Sequence, residues 1–160
     1  MSIAALVTQL NLSSGHLQDS AEEPYRKSSV APANIELTSL LAQYLENEAE
    51  LVGKVSRGVN ITADSFYSSQ GRIDANFFDE NDRLVNDLSA SYANAKSMEM
   101  ESFQLLHLAH CSSAPIIAAA AAIVVANRCT AEVIDADMLH SMELAGGRGC
   151  LEAITKVVLS

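Results

Sequence analysis

The chain has 160 residues, 49% of them hydrophobic, and a formal charge of −10 from 20 Asp and Glu against 10 Lys and Arg. That length is about one domain, with enough apolar side chains for a core. The acidic balance argues against nucleic acid and anionic membrane as partners, because both interactions begin with Lys and Arg neutralising phosphate. The three cysteines, Cys111, Cys129 and Cys150, are far apart and form no CxxC pair, which fits free thiols in a reducing compartment. The opening "MSIAALVTQL" has no basic flank, and the longest apolar run, 114–126, is too short for a bilayer. A soluble, cytoplasmic protein is the expectation. "NIT" at Asn60 matches a glycosylation acceptor but is read as plain sequence without a secretion signal.

In chain order, residues 1–21 and the connection to residue 30 are polar and aperiodic and read as irregular. Residues 34–51 place Leu37, Leu40, Leu41, Tyr44 and Leu45 at helical spacing, with Asn34 as N-cap and Gly53 as stop. Residues 54–66 alternate and are β-branched, so a strand is expected, followed by a long polar loop. A helix is expected over 83–95, with Leu84, Val85, Leu88 and Tyr92 on one face. "KSMEM" reads as a short strand or turn, and 101–113 as a helix. The run "PIIAAAAAIVVANR" is apolar all round and reads as a strand buried on both faces. A last helix is expected over 135–159, capped by Asp135 and weakened at Gly146–Gly147. Strands alternating with helices argue for an α/β fold.

Three polar segments interrupt this pattern at or just past expected strand ends, where ligands bind in open α/β sheets. They are "FYSSQGR" with Phe66, Gln70 and Arg72, "SMEMES" with Glu99, Met100 and Glu101, and "ANRC" with Asn127 and Arg128. Each also has a plainer reading: a solvated loop, a helix N-terminus with Glu101 near the positive dipole end, and a strand end with a surface arginine. Three features stay with the plain reading. His107 and His110, i and i+3 on one helix, are packing or surface residues rather than metal ligands. "AGGRGC" (145–150) lacks the phosphate-loop pattern. Cys129 has a neighbouring arginine but no base.

Together the three segments, in this order and spacing, resemble the uridine phosphorylase branch of the nucleoside phosphorylase family. "GVNITADSFYSSQGRIDANF" (58–77) is similar to that family's strand and base-binding loop, "SMEMES" to its ribose-binding segment, and "AIVVANRCTAEV" (122–133) to its late strand and following loop. The resemblance covers residues 22–160 as the C-terminal portion of a family domain, with 1–21 as an irregular extension. It implies a partial three-layer α/β/α phosphorylase/hydrolase-like domain with a mixed sheet, lacking the family's N-terminal strands. It also implies a pentosyltransferase converting uridine and phosphate to uracil and ribose 1-phosphate, with no cofactor beyond phosphate as co-substrate.

By that resemblance Phe66, Gln70, Arg72 and Arg128 bind the base, and Glu99, Met100 and Glu101 bind the ribose. The chemistry agrees. An amide offers a donor and an acceptor to uracil O2 and N3–H, and a guanidinium offers fixed donors to O4. Donors aimed at the base also stabilise the charge it gains as a leaving group. A carboxylate, Glu101 above all, accepts charge-assisted hydrogen bonds from ribose hydroxyls. Asn127–Arg128 stands where the purine branch carries an aspartate, which favours a pyrimidine. The family's glycine-rich, arginine-bearing phosphate loop has no counterpart in this sequence. Three outcomes are therefore open: a phosphorylase, a catalytically inactive nucleoside-binding or heteromer-forming module, or an incomplete gene product. An exposed sheet edge and apolar surface are expected to drive homo-oligomerisation or association with a full-length homologue.

Overall fold

The computed structural model describes residues 3–14 and 24–157. Six strands and four helices follow in order. They are β1 (Ile3–Ser14), β2 (Tyr25–Lys27), β3 (Ala31–Pro32), α1 (Ile35–Asn47), β4 (Val55–Ala63), α2 (Leu84–Ser91), β5 (Ala95–Glu99), α3 (Ser102–Cys111), β6 (Ala120–Ile123) and α4 (Ala136–Thr155). The fold is the expected α/β class with a mixed sheet.

The sheet is organised around β1. One edge of β1 pairs in parallel with β4 from Ile3↔Val55 to Leu12↔Ala63, and β4 pairs in parallel with β5. The other edge is shared along its length by three short antiparallel strands: β6 at residues 3–6, β3 at 8–9 and β2 at 12–14. This corrects the expectation for the N-terminus. Residues 3–14 are the strand that organises the sheet rather than irregular chain, while 15–21 lie outside the described residues. The expected irregular connection up to residue 30 also gives way to a strand at Tyr25–Lys27, and the long parallel partner of β1, β4, lies far along the chain at Val55–Ala63, so no local period marks either strand.

The helices form where their caps and apolar faces place them. Asn34 accepts the Leu37 N–H at 2.8 Å and Asp135 the Met138 N–H at 2.9 Å, so both expected caps are real. Leu45 and Leu51 pack with Met142 and Ala145 of α4, and Val55, Ala121 and Ile123 of the strands join them. Gly146 and Gly147 do not interrupt α4. Gly149 is where α4 meets α1: a Cβ there would lie 3.0–3.2 Å from Leu45, backbone included. Leu84 and Leu88 of α2 pack on Ile61 and Tyr25, with Met98 of β5 alongside.

A second correction concerns 114–128. Only Ala120–Ile123 forms a strand, and its four residues are half-buried rather than enclosed on both faces. It pairs with β1 alone, as one of three short strands on that edge. The alanines leave no bulk to cover.

Candidate nucleoside site

The ends of β4, β5 and β6 and the loops that follow them enclose a cavity of about 570 Å³. Six of the eight residues singled out in the three polar segments line it: Phe66, Gln70, Arg72, Glu99, Asn127 and Arg128. Met100 and Glu101 do not; they follow Glu99 at the start of α3.

The loop after β4 is built by its serines. Ser69, fully buried, donates from Oγ to Asp64 Oδ1 at 2.6 Å and accepts the Ser65 N–H at 2.9 Å. This fixes a 3-10 turn over Ser68–Gln70. Gly71 then adopts φ +65°, which a side chain would resist, and a Cβ would lie 2.6 Å from Val85. That reversal returns Arg72 over Phe66, with its guanidinium carbon 3.5 Å from the ring centroid and Nη1 donating to the Phe66 carbonyl. Asn81, buried, ties the loop down by donating to the Ser68 and Arg72 carbonyls at 3.1 and 2.9 Å.

Gln70 is the meeting point of the two guanidiniums. It is 5% exposed, and its Oε1 accepts from Arg72 Nη1 at 2.5 Å and Arg128 Nη2 at 2.7 Å. Guanidiniums donate and never accept, so the oxygen end of the amide faces them and Nε2 is the end left over. Neither arginine has an ion-pair partner among the described residues. Burial lowers the pKa of both, and for Arg72 the nearby Arg128 charge adds to this. Both remain cationic at neutral pH. Arg128 is set by Asn127, whose Oδ1 accepts the N–H groups of Cys129 and Thr130 at 2.8 and 3.2 Å. Asn127 is thus the turn-former of this segment.

Glu99, at the end of β5, is saturated. Oε1 accepts from Asn60 Nδ2 at 2.6 Å and Thr62 Oγ1 at 2.5 Å. Oε2 accepts from the Glu101 and Ser102 N–H groups, both at 2.7 Å, and from Ser102 Oγ at 2.9 Å. Burial pushes its pKa up, but the bonds from Thr62, the two N–H groups and Asn60 outweigh it and hold the carboxyl below the usual range. Glu101, by contrast, is exposed, and its carboxylate meets only the Met100 N–H, at 3.2 Å, among the described residues.

Sequence reasoning missed Asn60 and Thr62, both fully buried. The signal was present: two polar residues at i and i+2 of a core strand share a face. The same burial rules out glycan at Asn60 in the folded chain. His107 stacks on Phe103 with its Nε2 3.6 Å from Cys111 Sγ, and His110 Nε2 lies 2.9 Å from the Pro32 carbonyl.

A model of the phosphorylase superfamily matches residues 5–153. The chain belongs to that superfamily. The match begins inside β1, within the segment expected to be an extension. Among solved structures, a uridine phosphorylase of the oomycete Phytophthora capsici is 33% identical with a TM-score of 0.88 over 99% of this chain and 60% of that one. A Trypanosoma brucei nucleoside phosphorylase is 16% identical, with a TM-score of 0.75 over 98% and 58%. A Schistosoma mansoni uridine phosphorylase is 18% identical, with a TM-score of 0.61 over 97% and 59%. This superfamily member therefore spans about 60% of the length of the structures it matches. No curated protein matches it.

Proposed function

We propose that the chain carries the base- and ribose-recognising part of a uridine-phosphorylase-type site, in which phosphate displaces uracil from uridine to give ribose 1-phosphate. The observation that carries this reading is the convergence of Phe66, Gln70, Arg72 and Arg128 on one cavity, with two guanidiniums joined at a single amide. The P. capsici uridine phosphorylase, at 33% identity, supports the choice of base.

Gln70 Oε1 already accepts two bonds, so it takes uracil N3–H only when one guanidinium lets go. The released arginine then donates to O4, while Nε2 donates to O2. Donor-rich surroundings match the charge that spreads onto the base oxygens as the glycosidic bond breaks. Phe66 packs against the base or sugar. Glu101, whose carboxylate meets only the Met100 N–H among the described residues, accepts from the ribose 2′-hydroxyl, with Met100 beside the sugar. Phosphate is a co-substrate, no cofactor is required, and the reading assigns phosphate no residue of this chain.

A second reading is a nucleoside-binding module that pairs with a further chain and does not itself turn over. It is favoured by the edge of β5, beyond which no further strand pairs among the described residues. Uridine binding, together with ultraviolet absorbance followed with and without phosphate, separates the two when run on the full chain and on Glu101→Ala. Phosphate-dependent loss that Glu101→Ala abolishes supports the enzyme. Saturable binding without loss supports the module. Absence of both contradicts either reading.

A further inference from the structure

Glu99 sits in the segment read as ribose-binding, yet its carboxylate has nothing left to offer a sugar. A carboxylate has about four lone-pair sites. Five protein donors already converge on this one, two from β4 on Oε1 and three from the start of α3 on Oε2. The donors are themselves fixed. Thr62 Oγ1 also accepts the Phe103 N–H at 2.9 Å, and Asn60 Oδ1 accepts from Ser97 Oγ at 2.7 Å. The first N–H groups of a helix have no partner within it and must find one outside. Glu101, at the N-cap position of α3, makes no side-chain cap bond, and Glu99 does that work from two residues upstream.

We propose that Glu99 is a positioning residue: it locks the first turn of α3 onto β4 and so sets where Glu101 stands toward the ribose. This rests on the nucleoside reading above and refines it, taking one glutamate out of direct sugar contact and bringing Asn60 and Thr62 in as its anchors. The geometry suits the role. Asn60 and Thr62 lie fully buried in the C-terminal half of β4, where apolar residues would pack as well, and both spend a polar atom on this carboxylate. Glu101 is left as the carboxylate of the pair with acceptor capacity to spare.

A double-mutant cycle on the full chain tests this, with uridine and uracil affinities measured for wild type, Glu99→Gln, Glu101→Ala and the double variant. Amide exchange at Glu101 and Ser102 is read in parallel. An amide at position 99 must present donors to some of the five donors, so the turn loosens. The expected result is faster exchange at both amides and about tenfold weaker uridine binding, with uracil affinity within about twofold and no added loss in the Glu101→Ala background. Independent, additive losses of uridine affinity would make Glu99 a direct ribose ligand and overturn the proposal. Unchanged exchange at both amides would overturn it as well, whatever the ligand. Should wild type bind no uridine, the nucleoside reading falls, and the exchange data alone decide whether Glu99 holds the turn.

Discussion

At the scale of single residues, the site depends on polar atoms that are fully occupied. Glu99 is the clearest case for pH. Its folded pKa lies below the usual value, so between the two values the unfolded chain binds more protons than the folded one, and stability rises with pH there. The contribution is complete above the unfolded glutamate pKa of about 4.3 and is lost as pH falls through the lower folded value. Urea unfolding midpoints are therefore expected to differ between wild type and Glu99→Gln near neutrality and to converge in acid; a gap that widens with acid contradicts this. Gly71→Ala is a second single-residue prediction. It imposes a side chain at φ +65° and against Val85, so Arg72 loses its place over Phe66. A loss of uracil affinity on the order of tenfold is expected, with the fold intact by circular dichroism. That Gln70, Arg72 and Arg128 meet at one cavity was legible because they are chemically specific and sit past strand ends. The saturation of Glu99 was not, because it depends on Asn60 and Thr62, about forty positions away.

At the scale of elements, α1 and α4 were readable from period and caps, α2 and α3 from period alone, and β4 from alternation. β1, β2 and β3 were not, and β6 was read too long. β1 is held by pairings to four other strands, from Tyr25 to Ile123, and no local pattern announces that. β6 looked longer than it is, because an alanine run carries no period to mark where pairing stops. The α1–α4 contact is a further case where spacing alone said little. "AGGRGC" reads as a helix weakness, yet Gly149 permits the close approach to Leu45. Gly149→Val overpacks that contact, and a cost of about 1–3 kcal/mol is expected. A lower denaturation midpoint with unchanged slope checks it; a neutral result contradicts the close packing.

At the scale of the whole molecule, the described surface exposes a cluster of large apolar side chains. Phe66, Tyr67, Ile73, Phe77 and Phe78, all in the loop region between β4 and α2, are more than half exposed, Phe78 at 90%. Beyond β5 no further strand pairs among the described residues, which leaves that sheet edge open. Surfaces of both kinds promote association. Sedimentation velocity is expected to show concentration-dependent self-association that Phe77→Ser with Phe78→Ser weakens; a single monomer species over the whole range contradicts it. Among the described residues no helix is long and apolar enough to cross a membrane.

The account turns on whether the Arg72–Gln70–Arg128 arrangement recognises a pyrimidine nucleoside. The most direct measurement is calorimetric titration of uridine into the full chain and into Gln70→Leu. Losing a buried hydrogen-bonding amide is expected to weaken binding by at least about tenfold, since an unsatisfied partner costs roughly 1–3 kcal/mol. Saturable uridine binding that falls in Gln70→Leu is the predicted result. Equal affinity in the two proteins, or no binding by wild type, would contradict it.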